Sequence, residues 1–150
     1  MIVTVKVKKL SATARFPSRA YEYDACVDLY ADDTVIIHPN TSMRVSTGLA
    51  LHIPEGYFGK IFGRSGIAAR ADASGLHVGG GVIDSGYRGD VKVILYFVSN
   101  TRKSFRVLSG MKIAQLAILP VPETRWILAE SEEDFSPTER GDKGFGSSGS

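Results

Sequence analysis

The stretch "GVIDSGYRGD", residues 81–90, gathers groups that could do chemistry. Val82 and Ile83 lead into a carboxylate, Asp84; then come a glycine, Tyr87, Arg88 and a second carboxylate, Asp90. Gly79 and Gly80 stand directly before Gly81. So much backbone freedom beside one carboxylate and one aromatic ring does not suit a plain structural strand, and it marks a candidate site. A second piece is "GRSG", residues 63–66. Arg64 brings a planar fork of donors suited to phosphate. Ser65 and Gly66 bring a hydroxyl and main-chain N–H groups at the start of a helix, where an anion is favoured. The tetrapeptide also reads as a cap turn with its arginine in water. Gln115 lies in "MKIAQLAIL" and Asp28 in "ACVDLYA", both among apolar neighbours. A buried amide without partners costs about 1–3 kcal/mol, and a carboxylate there wants a cation or several donors. Solvent-facing positions on an edge strand or a strand end would serve them as well.

Other chemistries find no support. His38, His52 and His77 show no pair at metal-ligand spacing. A G-x-S-x-G nucleophile turn is missing, and no G-K-[ST] follows the three glycines, so they are not a phosphate loop of that kind. The anion-binding pieces are scattered over 28, 64–66, 84–88, 115 and 140–148.

The elements that must position them are short. Apolar runs such as "IVTVKVKKL", "CVDLYA", "TVIIHP", "GLALHIP", "YFGKIFG", "VKVILYFV", "SFRVL" and "KIAQLAILP" are broken by Gly, Pro, Asn, Asp and Ser. Many alternate with period two and are rich in β-branched and aromatic residues. That pattern predicts an all-β antiparallel sandwich or barrel. One short helix is expected in "SGIAARADAS", with Ser65 as its cap. "VKVILYFV" is apolar on both faces, so it is either central in a sandwich or covered by another subunit. The end of the chain, "TERGDKGFGSSGS", cannot bury enough surface to fold alone. Residues 146–150 read as a linker-like tail, but Arg140 and Phe145 ask for something to dock on.

Composition bounds the rest. The 150 residues are about one domain, with 43% hydrophobic and 23% charged residues. A net charge of +2 argues against a general nucleic-acid binder. Cys26 is the single cysteine, so no intrachain disulfide forms; it reads as a small buried filler in a reducing compartment. The first ten residues are too polar for a signal peptide. The longest apolar run falls far short of the roughly 20 residues of a membrane span. A cytoplasmic protein is expected, nuclear if the source is eukaryotic or viral, without a membrane partner.

Taken in order, the scattered pieces resemble the five motifs of the trimeric dUTPases. They are "ACVDLYA" (25–31), "GRSGIA" (63–68), "GVIDSGYRGD" (81–90), "GMKIAQL" (110–116) and "RGDKGFGSSG" (140–149). The departures are modest. Cys26 stands where the family usually has glycine, Gly63 where proline is frequent, Ser148 where threonine is usual, and Val78 where some relatives carry asparagine.

The resemblance implies a distorted jelly-roll-like β-barrel in residues 1–139, with residues 140–150 as a flexible lid arm. It implies a homotrimer whose active sites are shared between subunits. It implies hydrolysis of dUTP to dUMP and diphosphate with Mg²⁺, which keeps uracil out of DNA and supplies dUMP for dTMP synthesis. Asp84 would be the catalytic base, holding the water that attacks the α-phosphorus. Gly81, Val82 and Ile83 would line the uracil slot, read through main-chain groups, Tyr87 would pack on the deoxyribose, and Lys92 would contact the substrate. Arg64, Ser65, Gly66 and Gln115 would contact the phosphates, and Asp28 would steady the metal through water. Arg140 would reach the terminal phosphate, Phe145 would stack on uracil, and Gly146, Ser147 and Ser148 would wrap the phosphates. Arg88 is expected to be structural. A dCTP deaminase of related fold would need a glutamate near the base, and residues 56–122 contain none. A nucleotide-sensing regulator that grips a protein partner fits only as an added role.

Overall fold

The computed structural model describes residues 2–69, 73–101, 103–139 and 141–142. Among these the chain runs β1 (Lys6–Lys9), β2 (Val27–Tyr30), β3 (Val35–Ile37), β4 (Thr41–Ser46), β5 (Leu49–His52) and β6 (Tyr57–Phe62). It continues through α1 (Ser65–Ala68), β7 (Leu76–Val78), β8 (Gly81–Ile83), β9 (Lys92–Phe97), β10 (Phe105–Val107) and β11 (Lys112–Pro120). A 3-10 turn, Glu132–Phe135, follows. The strands form a sheet β2-β11-β6-β8, a sheet β4-β9-β7, and the pairs β1-β5 and β3-β10. Every pairing is antiparallel, so the all-β antiparallel class with one short helix holds.

Each of the eight apolar runs contains a strand. β4 was hidden because Thr41, Ser42 and Arg44 read as turn chemistry, although Val45 is fully buried. The helix is shorter than "SGIAARADAS" suggests: α1 has four residues. Ser65 is not its cap. Arg64 holds that place in extended conformation (φ −111°, ψ 132°) without a side-chain cap bond, and Ser65 is already helical.

Alternation builds the core. Val93, Leu95 and Phe97 of β9 point inward with no exposure, beside Leu29, Ile37, Ile53, Ile61 and Ile113. Each such side chain stabilises the fold by about 1.5–3 kcal/mol when buried, and Phe97 adds a tilted ring contact to Phe105 at 5.7 Å. Among the described residues the other face of β9 is only partly covered: Ile94 is half-buried and Tyr96 44% exposed, and Val98 just beyond the strand is 56% exposed. β9 is also the middle strand of its sheet. In β11 a register shift between Lys112 and Ala114 breaks strict alternation, which lets Ile113 and Ala114 both turn inward. Residues 121–130, after β11, carry no regular structure and lie open to solvent, with Trp126 92% exposed and Leu128 87%.

Candidate active site

β11 positions the first group of residues. In the ladder Gln115 stands opposite Asp28 of β2 on one side and Phe62 of β6 on the other. Its Nε2 donates to the Gly63 carbonyl at 2.7 Å, so the side chain is tied to the loop that carries Arg64. Asp28 is only 8% exposed. Arg64 Nε lies 2.8 Å from its Oδ1, and Lys112 Nζ lies 2.7 Å from its Oδ2. The cation that a carboxylate in an apolar strand requires is therefore present twice. Asp28 raises the pKa of Lys112 above the ordinary 10.5, through the hydrogen bond first and charge second. Lys112 was not legible as part of the site, since a lysine at the start of a strand is normally solvated; the need of Asp28 for a cation was the available signal.

Asp28 takes the Nε edge of the Arg64 fork. A cleft of about 400 Å³ opens beside it, lined by Asp24, Cys26, Asp28, Arg64, Ser65, Gly66 and Gln115 among others. A Cβ placed at Gly66 would meet nothing within 4 Å, so this corner can receive a bulky group. Burial pushes the Cys26 thiol above 9.0; Arg19 opposes the shift, and Asp24 and Asp28 add to it.

The second group stands on β8 and the loop after it. β8 pairs with β6, with Gly81 opposite Ile61 and Val82 opposite Lys60. Gly80 has φ +67°, which a residue with a side chain adopts at a cost. Ile83 anchors the strand in the core, and Asp84 emerges into solvent. A turn closes at once, with Tyr87 N–H donating to the Asp84 carbonyl at 3.0 Å. Arg88 donates to the carbonyls of Ser85 and Tyr87, in keeping with a structural part. A cleft of about 340 Å³ is lined by Arg44, Val82, Ile83, Asp84, Tyr87, Asp90, Lys92 and Ile94. Arg44 escaped sequence reasoning because it comes from β4, and only the β4–β9 pairing brings it here.

Among the described residues the two clefts share no lining residue within one chain. One holds a guanidinium, a hydroxyl and an amide; the other holds an exposed carboxylate, a tyrosine ring, two cationic side chains and Val82 and Ile83 of β8. Arg140, Phe145, Gly146, Ser147 and Ser148 lie outside the described residues. Among the described residues no three His, Cys, Asp or Glu side chains cluster to hold a metal, and no helix is long and apolar enough to cross a membrane.

Both clefts stand on one antiparallel β scaffold. The dUTPase family model matches residues 12–149, and the chain belongs to that family. It is 40% identical to the deoxyuridine 5'-triphosphate nucleotidohydrolase of Wolbachia pipientis, covering 98% of this chain and 96% of that one. The Clostridium tetani protein of the same name is 36% identical, with 97% of each chain covered. The Staphylococcus bacteriophage 80alpha dUTPase, solved with dUpNHpp, superposes with a TM-score of 0.85 at 32% identity, over 98% of this chain and 99% of that one. A mutant dUTPase from phage phi11 of S. aureus, solved to describe the coordination of a structural Mg(II) ion, gives 0.77 at 28% identity, over 87% and 99%.

Proposed function

We propose that this chain hydrolyses dUTP to dUMP and diphosphate, and so lowers the supply of uracil for DNA while providing dUMP. The observation that carries the reading is the turn that joins Asp84 to Tyr87 through one hydrogen bond. It sets a solvent-exposed carboxylate beside an aromatic face and the main chain of Gly81, Val82 and Ile83. In this reading the β8 edge and Lys92 receive uracil, and Tyr87 packs on the deoxyribose. Asp84 takes a proton from water as its oxygen bonds to the α-phosphorus. The bond from that phosphorus to the bridging oxygen of the β-phosphate breaks, and diphosphate leaves with the electron pair. Arg64, Ser65, Gly66 and Gln115 hold the phosphates, an arrangement that Asp28 supports by fixing the Arg64 fork.

Magnesium fits this donor set as an ion carried by the substrate. Both Asp28 oxygens are engaged by cations, so Asp28 would hold it through water, the mode magnesium favours with few protein ligands. When bound, the ion would neutralise charge on the leaving diphosphate.

The separation of the two clefts supports a homotrimer of jelly-roll-like barrels, in which the carboxylate turn of one subunit meets the phosphate cleft of another. The exposed Tyr96 and Val98 side chains offer apolar surface for such contacts. Residues 140–150 would complete the site as a lid, with Arg140 on the terminal phosphate, Phe145 on uracil and Gly146 to Ser148 around the phosphates. The localisation proposed is cytoplasmic.

Hydrolysis in ¹⁸O-labelled water with Mg²⁺ tests the chemistry. Label in dUMP is the expected result, and label in diphosphate would rule out attack at the α-phosphorus. Parallel diphosphate assays with dTTP, dCTP and UTP test the base and sugar slots; equal turnover of all four would sink the assignment.

A further inference from the structure

Tyr87 is 43% exposed, so core packing does little to fix its ring. Two local contacts do so instead. Its hydroxyl donates to the Asp90 carbonyl at 3.0 Å. The ring also lies over Gly89: a Cβ there would sit 2.5 Å from the hydroxyl oxygen, 2.7 Å from Cζ and 3.1 Å from Cε2. These three nearest atoms all belong to Tyr87. Gly89 is not among the glycines with positive φ, so its backbone conformation does not demand glycine. The space under the tyrosine does.

The acceptor is anchored to the core. Asp90 Oδ1 accepts the Gly48 N–H at 3.1 Å. The next residue, Val91, is fully buried; its N–H donates to the Leu49 carbonyl at 2.8 Å. The Val91 carbonyl accepts from Thr47 N–H at 3.1 Å and Thr47 Oγ1 at 2.7 Å. The Tyr87 ring is thus held between a fixed carbonyl at its tip and an empty side-chain position beneath it.

We infer that Gly89 is a positioning residue for sugar recognition: the missing side chain sets where the Tyr87 ring stands, and with it the preference for 2′-deoxyribose over ribose. The inference rests on the reading of Tyr87 as the sugar platform. A side chain at position 89 pushes the ring outward, where solvent yields to it, so the cost falls on selectivity more than on folding.

The test compares Gly89→Ala, Tyr87→Ala and the double variant, by kcat/KM for dUTP and for UTP and by thermal midpoint. Gly89→Ala is expected to lower the dUTP-to-UTP ratio by about 10- to 100-fold, the cost of displacing a contact by roughly 1 Å, mainly through KM. In the Tyr87→Ala background the same alanine should change nothing further, because the two residues act as one unit. A wild-type ratio in Gly89→Ala, with a lowered ratio in Tyr87→Ala, overturns the inference and leaves the platform standing. An unchanged ratio in Tyr87→Ala overturns both. If Gly89→Ala fails to fold while the double variant folds like Tyr87→Ala, the clash falls on folding rather than on selectivity, and the inference is wrong. If the double variant also fails, position 89 serves the backbone and the inference is wrong.

Discussion

Replacing Asp28 by asparagine keeps the shape of the side chain and removes its charge. In the native protein its two oxygens take Arg64 Nε at 2.8 Å and Lys112 Nζ at 2.7 Å, with side-chain exposures of 10% for Asp28, 25% for Arg64 and 41% for Lys112. A hydrogen bond between charged groups stabilises by about 1.5–3 kcal/mol, and a neutral one by about 1. The Arg64 contact should therefore lose about 1 kcal/mol. The Lys112 pair is half in water, so it contributes about 0.2–1 kcal/mol; asparagine can serve only one cation with its oxygen and turns an N–H₂ toward the other. The sum is about 2 kcal/mol per subunit, or roughly a 30-fold change in the folding equilibrium. With a urea slope of about 2 kcal/mol/M, the midpoint should fall by about 1 M at fixed protein concentration. The freed Arg64 should also raise KM for dUTP by about tenfold, while kcat moves less. Lys112→Met should show only the smaller share of the stability loss. Because the folded pKa of Lys112 is raised above 10.5, its share is fully present below that value and disappears as pH climbs through the folded pKa. Urea melts of the three proteins at pH 7 and at a pH above 10.5, with dUTP kinetics at pH 7, decide the matter. An Asp28→Asn protein with native midpoint and native KM would refute the claim that this carboxylate holds the arginine in place.

Asp84→Asn should lower kcat by about 10²–10⁴, the usual contribution of a general base, with a dUTP analogue still bound in calorimetry; native turnover would remove the base assignment. Deleting residues 140–150 should leave a folded assembly, seen by scattering, with little turnover, and full-rate hydrolysis by the truncated chain would end the lid role. The Cys26 thiol, held above 9.0 chiefly by burial, should react slowly with a neutral disulfide reagent at pH 7 and faster as pH rises past 9.0. A labelling rate that levels off below pH 9 would contradict that shift.

Much of this was legible because two signals are local. Short apolar runs bounded by turn residues announced β5, β6, β9 and β11, and the odd placement of Asp28 and Gln115 in apolar runs flagged them before any partner was known. Their partners were not legible. Lys112 reaches Asp28 only because a bulge resets the β11–β2 register, and Arg44 joins the carboxylate cleft through a ladder with β9. Ser65 looked like a helix cap by residue type, but cap identity is a matter of φ and ψ, and Arg64 holds the extended conformation. β4 was missed for a related reason: its polar outer side chains mimic turn composition, while one buried valine carries the strand.

The lack of any common wall residue between the two clefts has a genetic meaning. In a cyclic assembly, a lesion in one cleft and a lesion in the other can sit on different copies and leave some composite pockets whole. Co-refolding equal amounts of an Asp84-deficient and an Arg64-deficient chain should then yield about a quarter of the native pockets by random mixing, although each parent alone is dead. Two damaged copies would then partly restore each other, provided their lesions fall in different clefts, whereas two lesions in the same cleft would not.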